Sequence, residues 1–264
     1  PEEYLEIATF TVTPTSIYIL DNFSHKISRY ALEKGTFMGK TEVPFVAWDM
    51  EAFDDNDFLF TCLNNNPDVK VSPSPVDFAV WRTDSHWQIT DKYLPVEKEY
   101  TELYGKSRYF TRYKHDIVFH SFQYDTFSRK EDPVFHPILF SRPFPRDNES
   151  RLKEANSGQW QLLAETPFVV DGYNIVEISI AGQGQQMFAV NASNKIFGNS
   201  EVCPKNIPIN IIGTMGNHFV GYINDNYELY RNLVAYGFQK GSPEAEDILS
   251  RGGCCLIIYS VGNL

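Results

Sequence analysis

A strand–turn–strand rhythm recurs along this chain with a period of about 45 residues, and a repeat of that length restricts the fold more than any other feature. It is plainest near the start. Ser16-Ile-Tyr-Ile-Leu-Asp-Asn22 is a short apolar strand that runs into a turn, and Lys26-Ile-Ser-Arg-Tyr-Ala-Leu32 follows as a second. Thr36 to Phe45 is a third, with Phe37, Thr41 and Val43 on one face and Met38, Lys40 and Glu42 on the other. Neighbouring strands of this kind form an up-and-down antiparallel meander. Its recurrence predicts an all-β chain built as a β-propeller with four-stranded blades.

The units fall near residues 5–45, 47–95, 107–142, 159–200 and 207–264, so about five blades share one domain over 1–264. The fifth unit has three strands, near Ile209–Thr214, His218–Ile223 and Cys254–Ser260. One short helix is expected between the last two: Ser242 is a suitable N-cap, Pro243 fits the first turn, and Glu244 and Glu246 suit the helix dipole. The charged stretch from Arg146 to Lys153 has the composition for a brief helical turn.

Composition narrows the partners. Aromatic residues make up 15% of the chain, mostly Phe and Tyr, which favour strands. The net charge is -11, and no Lys/Arg cluster supplies the basic face that nucleic acid or an anionic membrane would require. No apolar run reaches the roughly 18 residues of a transmembrane helix. The chain opens on Pro1 with neither an initiator Met nor a signal peptide, the expected look of a processed chain or a fragment.

Motifs for chemistry are sparse. His115 and His120 are five apart, off the i, i+4 spacing of a helical zinc site, and no metal site is expected. Asp54-Asp-Asn-Asp57 lacks the Gly and distal Glu of a calcium loop and reads as a tight polar turn. Gly182-Gln-Gly184 starts a Gly-x-Gly-x-x-Gly pattern, but Met187 takes the last Gly position, so the stretch reads as a hairpin turn and no cofactor is expected. Cys254 and Cys255 are neighbours in a strand and point to opposite faces, which disfavours a bond between them.

The acids Asp49, Glu51 and Glu165 stand out, because each is expected in the innermost strand of its unit. Asp49 and Glu51 share a face by period-two alternation. Facing a central channel, such carboxylates can do acid–base work or hold a cation; the bland alternative is a polar, wet channel wall. Arg112 and Tyr113, in the third inner strand, are candidate ligand contacts on the same ground. Trp48, Trp81, Trp87 and Trp160 have the rings to stack on sugars, but at strand spacing most of them are expected to pack between blades.

Pro1-Glu-Glu-Tyr4 followed by Ile17-Tyr-Ile-Leu-Asp21 resembles the Gly-x-Gly-Pro-x-Glu-Tyr … Ile-Tyr-Ile-Leu-Asp signature of six-bladed β-propeller proteins common in Bacteroides-type bacteria, relatives of NHL-repeat propellers. Lys26-Ile-Ser-Arg-Tyr30, Val43-Pro-Phe45 and the closing Leu256-Ile-Ile-Tyr259 fit the same pattern. The chain starts inside that signature, so the resemblance places one blade and the closing strand outside these residues. Cys254-Cys255 also stands where the family tends to have Asn-Pro. Family members are typically exported and often lipid-anchored, which implies the periplasm or the cell surface for the full-length protein. The resemblance supplies no catalytic residue.

These readings lead to a non-catalytic binding or scaffolding propeller of the cell envelope. Its partner would be a protein, peptide or glycan held at one mouth of the channel. The alternative is a carbohydrate-active hydrolase or lyase that uses the channel carboxylates.

Overall fold

The computed structural model describes residues 4–62, 77–96, 108–113, 116–121, 124–128, 136–137, 148–170, 173–191, 196–199, 211–235, 237 and 240–260. Twenty strands and three helices lie among them. No helix among the described residues is long and apolar enough to cross a membrane.

The strands form five small sheets, each a meander. The first holds β1 (Ile7–Val12), β2 (Ser16–Asp21), β3 (Lys26–Ala31) and β4 (Phe37–Glu42), in that order. The second holds β5 (Asp49–Asp54), β6 (Asp57–Thr61), β7 (Phe78–Thr83) and β8 (Ile89–Pro95). The third holds β9 (Phe110–Tyr113), β10 (Asp116–Ser121), β11 (Tyr124–Ser128) and the two-residue β12 (His136–Pro137).

In the fourth sheet, β13 (Gln161–Leu163) and β14 (Phe168–Val170) both pair with β15 (Tyr173–Ile180), and β16 (Gly184–Asn191) and β17 (Ile196–Asn199) complete it. The fifth sheet is the three-stranded β18 (Ile211–Met215), β19 (His218–Asn224) and β20 (Cys254–Ser260). Gly182, at φ +74°, turns the hairpin from β15 to β16, where an L side chain would be strained.

The chain divides into two compact units. One comprises Pro1–Phe110, Phe119–Thr126 and Phe144–Ser157; the other comprises Thr111–Val118, Phe127–Pro143 and Gly158–Leu264. The first unit has an aromatic core. Phe45, Phe58, Phe60 and Trp81 are fully buried, and Tyr18 and Trp87 close over Phe58. Phe45 meets Phe60 and Trp81 edge-on at ring separations of 4.8 and 5.4 Å. The second unit has two smaller cores. In one, Val118, Phe168, Val169, Val170, Ile175 and Phe219 pack together. In the other, Ile223 packs with Tyr230, Leu233 and Leu249 of two helices.

Those helices enlarge the expectation of a single short one. α3 (Pro243–Ser250) is the anticipated helix, and the Ser242 hydroxyl accepts from Ala245 N at 3.2 Å. α1 (Asn148–Ser157) extends the charged stretch for three turns. α2 (Tyr227–Ala235) was not anticipated, because Tyr and Val weight that stretch toward strand. Its cap is Asn226, whose side-chain oxygen accepts from Leu229 N at 2.9 Å. Tyr230 and Leu233, three apart, then bury one face of α2 against Ile223 and Leu249. Cys255 and Ile257 of β20 pack on this helical layer, while Cys254 is exposed on the other side of the strand.

Candidate functional site

β1 and β5 lie side by side, and that contact positions the two acids of β5. Asp49 is buried. One of its carboxylate oxygens accepts from Met50 N at 2.9 Å. The other accepts from Tyr109 N at 2.8 Å and Phe110 N at 3.1 Å, where the chain enters β9. The Thr9 hydroxyl of β1 adds a further hydrogen bond. Asp49 therefore ties β1, β5 and the start of β9 together, through the Thr9 hydroxyl and three backbone N–H groups.

Burial pushes the Asp49 carboxyl up from 3.8 to about 6, with a minor push from the charge of Glu51; its hydrogen bonds pull the other way without cancelling the effect. Glu51 shares its face, as the alternation predicts. It accepts from the Thr11 hydroxyl and, at 3.1 Å, from Ala52 N. Thr11 in turn accepts from Ala52 N at 3.1 Å. Both acids are thus held in the seam between the first two sheets.

The remaining candidates belong to the second unit. Glu165 is not within a strand. It lies in the break between β13 and β14, where four residues, 164–167, stand opposite Val176 and Glu177 of β15. Pro167 explains the break, since it has no N–H to give the ladder. The freed Pro167 carbonyl accepts from the Thr111 hydroxyl of β9 at 2.6 Å. Arg112 is half-buried, and its carbonyl accepts from the Thr214 hydroxyl of β18 at 2.6 Å, so its backbone supports the packing of the inner strands. Tyr113 ends β9, and its side chain lies outside the described residues.

Sequence reasoning missed a second carboxylate centre. Asp55 occupies the turn between β5 and β6, and that turn meets the Thr13–Ser16 turn between β1 and β2. Asp55 accepts from the Thr13 hydroxyl at 2.7 Å, the Thr15 hydroxyl at 2.5 Å and the Tyr18 hydroxyl at 3.0 Å. Arg29 lies 3.6 Å away, donates from Nε to the Ser16 hydroxyl at 2.9 Å, and stands over the Tyr18 ring. Burial raises the Asp55 carboxyl, but the hydroxyl donors outweigh it and hold the group below the usual range. Burial and the Asp55 carboxylate together push the Tyr18 phenol up to about 12.

A recess of about 230 Å³ opens beside this centre, with Arg29, Asp55 and Met38 at its rim and Tyr18, Phe58 and Trp87 behind. Trp87 holds φ +62°, a conformation few residues other than glycine adopt, and Asp84 secures that loop by accepting from His86 N and Gln88 N at 2.9 Å. The available signal was the hydroxyl run Thr13, Thr15, Ser16 set against an acidic turn. Two turns in register on neighbouring sheets must meet at the same end. Among the described residues, no group of three or more His, Cys, Asp or Glu is placed to hold a metal ion.

Residues 1–151 match a family described as 6-bladed beta-propeller, DUF5128. Among solved structures, a Bacteroides fragilis protein described as a candidate exported protein aligns over 98% of this chain and 78% of its own, at 14% identity and a TM-score of 0.69. Streptogramin B lyase aligns over 80% of this chain and 60% of its own, at 13% identity and a TM-score of 0.43. BamB from Moraxella catarrhalis aligns over 81% and 56%, at 10% identity and a TM-score of 0.36. The first shares the fold; the other two are too distant to carry an argument. No curated protein matches the chain at a significant level.

Proposed function

We propose that this chain, which belongs to the 6-bladed beta-propeller family, is a non-catalytic binding or scaffolding protein of the bacterial cell envelope. Its partner, a peptide, glycan or protein, sits at one mouth of the channel that such a propeller encloses. The observation that carries this reading is the state of the inner-strand acids. Asp49 is saturated by Met50, Tyr109 and Phe110 N–H groups, and Glu51 is engaged by Thr11 and Ala52. A hydrolytic pair needs two carboxyl groups that converge on one open space from opposite sides of a substrate. Here both acids are tied into the packing of strands. Export is supported by the description of the Bacteroides fragilis protein with the same fold.

One observation favours the rival reading, a carbohydrate-active hydrolase or lyase. A carboxyl pushed up to about 6 has the protonation behaviour a general acid requires. A single experiment separates the two. The purified protein is incubated with an array of bacterial glycans and a peptide library, and both retention and product release are measured. Binding without turnover is expected. Product release that disappears in both Asp49→Asn and Glu51→Gln would establish the enzyme and overturn the binder.

A further inference from the structure

The recess beside Asp55 has the parts of a ligand site. Its volume is about 230 Å³. Pockets for drug-sized molecules run to roughly 300–1,000 Å³, so this one admits a single ring. Its lining comes from β2, β3, β4 and β6 and from the turns that hold Asp55 and Trp87. None of it comes from within β1 or β5, the strands beside the inner acids. Trp87 helps to close the back. Its N–H donates to the Asp84 carbonyl at 3.1 Å, and its φ of +62° brings the indole to 5.0 Å from the Phe58 ring. Strained backbone of this kind gathers where a ligand site requires it.

The ligand's chemistry follows from groups that are held in place but not used up. Arg29 is fixed at one end. Its Nε donates to the Ser16 hydroxyl at 2.9 Å, and its guanidinium stands 5.4 Å from the Tyr18 ring centre. Its Nη edge makes no hydrogen bond among the described residues, and Asp55 Oδ1 lies 3.6 Å from it, beyond hydrogen-bond reach. Asp55 Oδ2 accepts from the Thr15 hydroxyl at 2.5 Å and has room for a second donor. Thr41 and Ser85, both exposed, line the same opening.

Charge then selects the ligand class. Arg29 and Asp55 balance each other, so a ligand of either net charge meets a like charge at the rim. A neutral molecule with hydroxyls on neighbouring carbons satisfies both residues. One of its oxygens accepts from Nη, and the next hydroxyl donates to Oδ2. A sugar ring carries such hydroxyls on its edge and C–H groups on its faces, which suit a floor of Tyr18, Phe58 and Trp87.

We infer that this recess between the first two sheets binds one neutral sugar residue of a glycan, through the Nη edge of Arg29 and the carboxylate of Asp55. It is a site in addition to the channel mouth, and it holds whether or not that mouth is occupied.

The test is saturation-transfer difference NMR on the full chain. The probes are methyl glucoside, methyl galactoside, methyl mannoside and N-acetylglucosamine, with glucuronate and glucosamine as the anionic and cationic forms of a similar ring. Transfer to at least one neutral sugar is expected, with weaker transfer to both charged ones. Arg29→Met keeps the apolar stem over Tyr18 and removes the donors; it should weaken binding roughly tenfold. Thr41→Trp, at an exposed strand position, fills the opening and should abolish transfer, whereas Thr41→Ala should bind as the unaltered chain does. Absence of transfer to every neutral sugar would overturn the inference. Tighter binding of glucuronate or glucosamine would overturn the ligand class. Binding undiminished in both Arg29→Met and Thr41→Trp would place the sugar elsewhere, which overturns this site and leaves the reading of the channel mouth standing.

Discussion

Asp49 opens β5 and Asp55 stands six residues on, in the turn that follows it, and the two behave in opposite ways. Each accepts at least three hydrogen bonds, yet Asp49 is pushed up to about 6 and Asp55 is held low. The difference lies in the surroundings. Asp49 is sealed among strands of three sheets with Glu51 as its charged neighbour. Asp55 stands at a rim, where water reaches it and the Arg29 guanidinium lies 3.6 Å away. The count of hydrogen bonds alone does not set a carboxylate's titration; its balance against desolvation does. At Asp49 deep burial outweighs the hydrogen bonds, and at Asp55 the Thr15, Thr13 and Tyr18 hydroxyls outweigh a shallower burial.

The harshest way to break this comparison is Asp49→Ala. It strands the Tyr109, Phe110 and Met50 N–H groups in a dry seam, at a cost of about 3–5 kcal/mol in folding stability. Urea unfolding followed by tryptophan fluorescence will read it as a lower midpoint at an unchanged slope.

A gentler probe is pH. The folded carboxyl of Asp49 lies above its ordinary value, so it stabilises the protein fully below about pH 3.8 and loses that contribution as pH rises to about 6. The loss amounts to roughly 3 kcal/mol across that window. Asp49→Asn should flatten this segment of the stability–pH curve; an unchanged slope would show that Asp49 titrates normally.

Asp55 provides the opposite sign. Its folded carboxyl is lowered, so its contribution is present above the ordinary carboxylate range and is lost as pH falls through the depressed value. Asp55→Ala, measured at neutral pH, should cost about 1–2 kcal/mol, the net of the three hydroxyl bonds it ends. It should also remove part of the acid-side loss.

The smallest effect is expected from Arg29→Lys. That change ends the Nε bond to Ser16 and leaves a partly exposed ion pair worth roughly 0.5 kcal/mol. A loss of several kcal/mol there would mean that the cation, and not desolvation, separates the two acids.

Much of the architecture was legible because it depends on local pattern. The alternation of Ile17, Tyr18, Ile19 and Leu20, and the polar breaks after Asp21 and Asp54, place strands and turns without any distant contact. The same logic put Asp49 and Glu51 on one face. It could not say that this face is closed by Thr9, Thr11 and the Tyr109–Phe110 backbone, since those partners come from other repeats. Glu165 was misplaced in a strand because two residues more than β15 requires, together with Pro167, break the ladder. The helix α2 escaped because its cap at Asn226 and its buried Tyr230 and Leu233 take effect only when Ile223 and Leu249 are present to receive them.

The sequence by itself determined the repeat, the all-β class and the faces of regular strands such as β2, since a side-chain period of two acts between neighbours along the chain; on β4 a register shift against β3 puts Phe37 on the face opposite Thr41, where strict alternation had placed the two together. Only the tertiary structure decided which acids are dry and which are wet. A carboxylate's environment is built from atoms 40 to 60 positions away, such as Thr13 for Asp55 and Tyr109 for Asp49. Desolvation depends on the whole of that enclosure, and no local pattern encodes it.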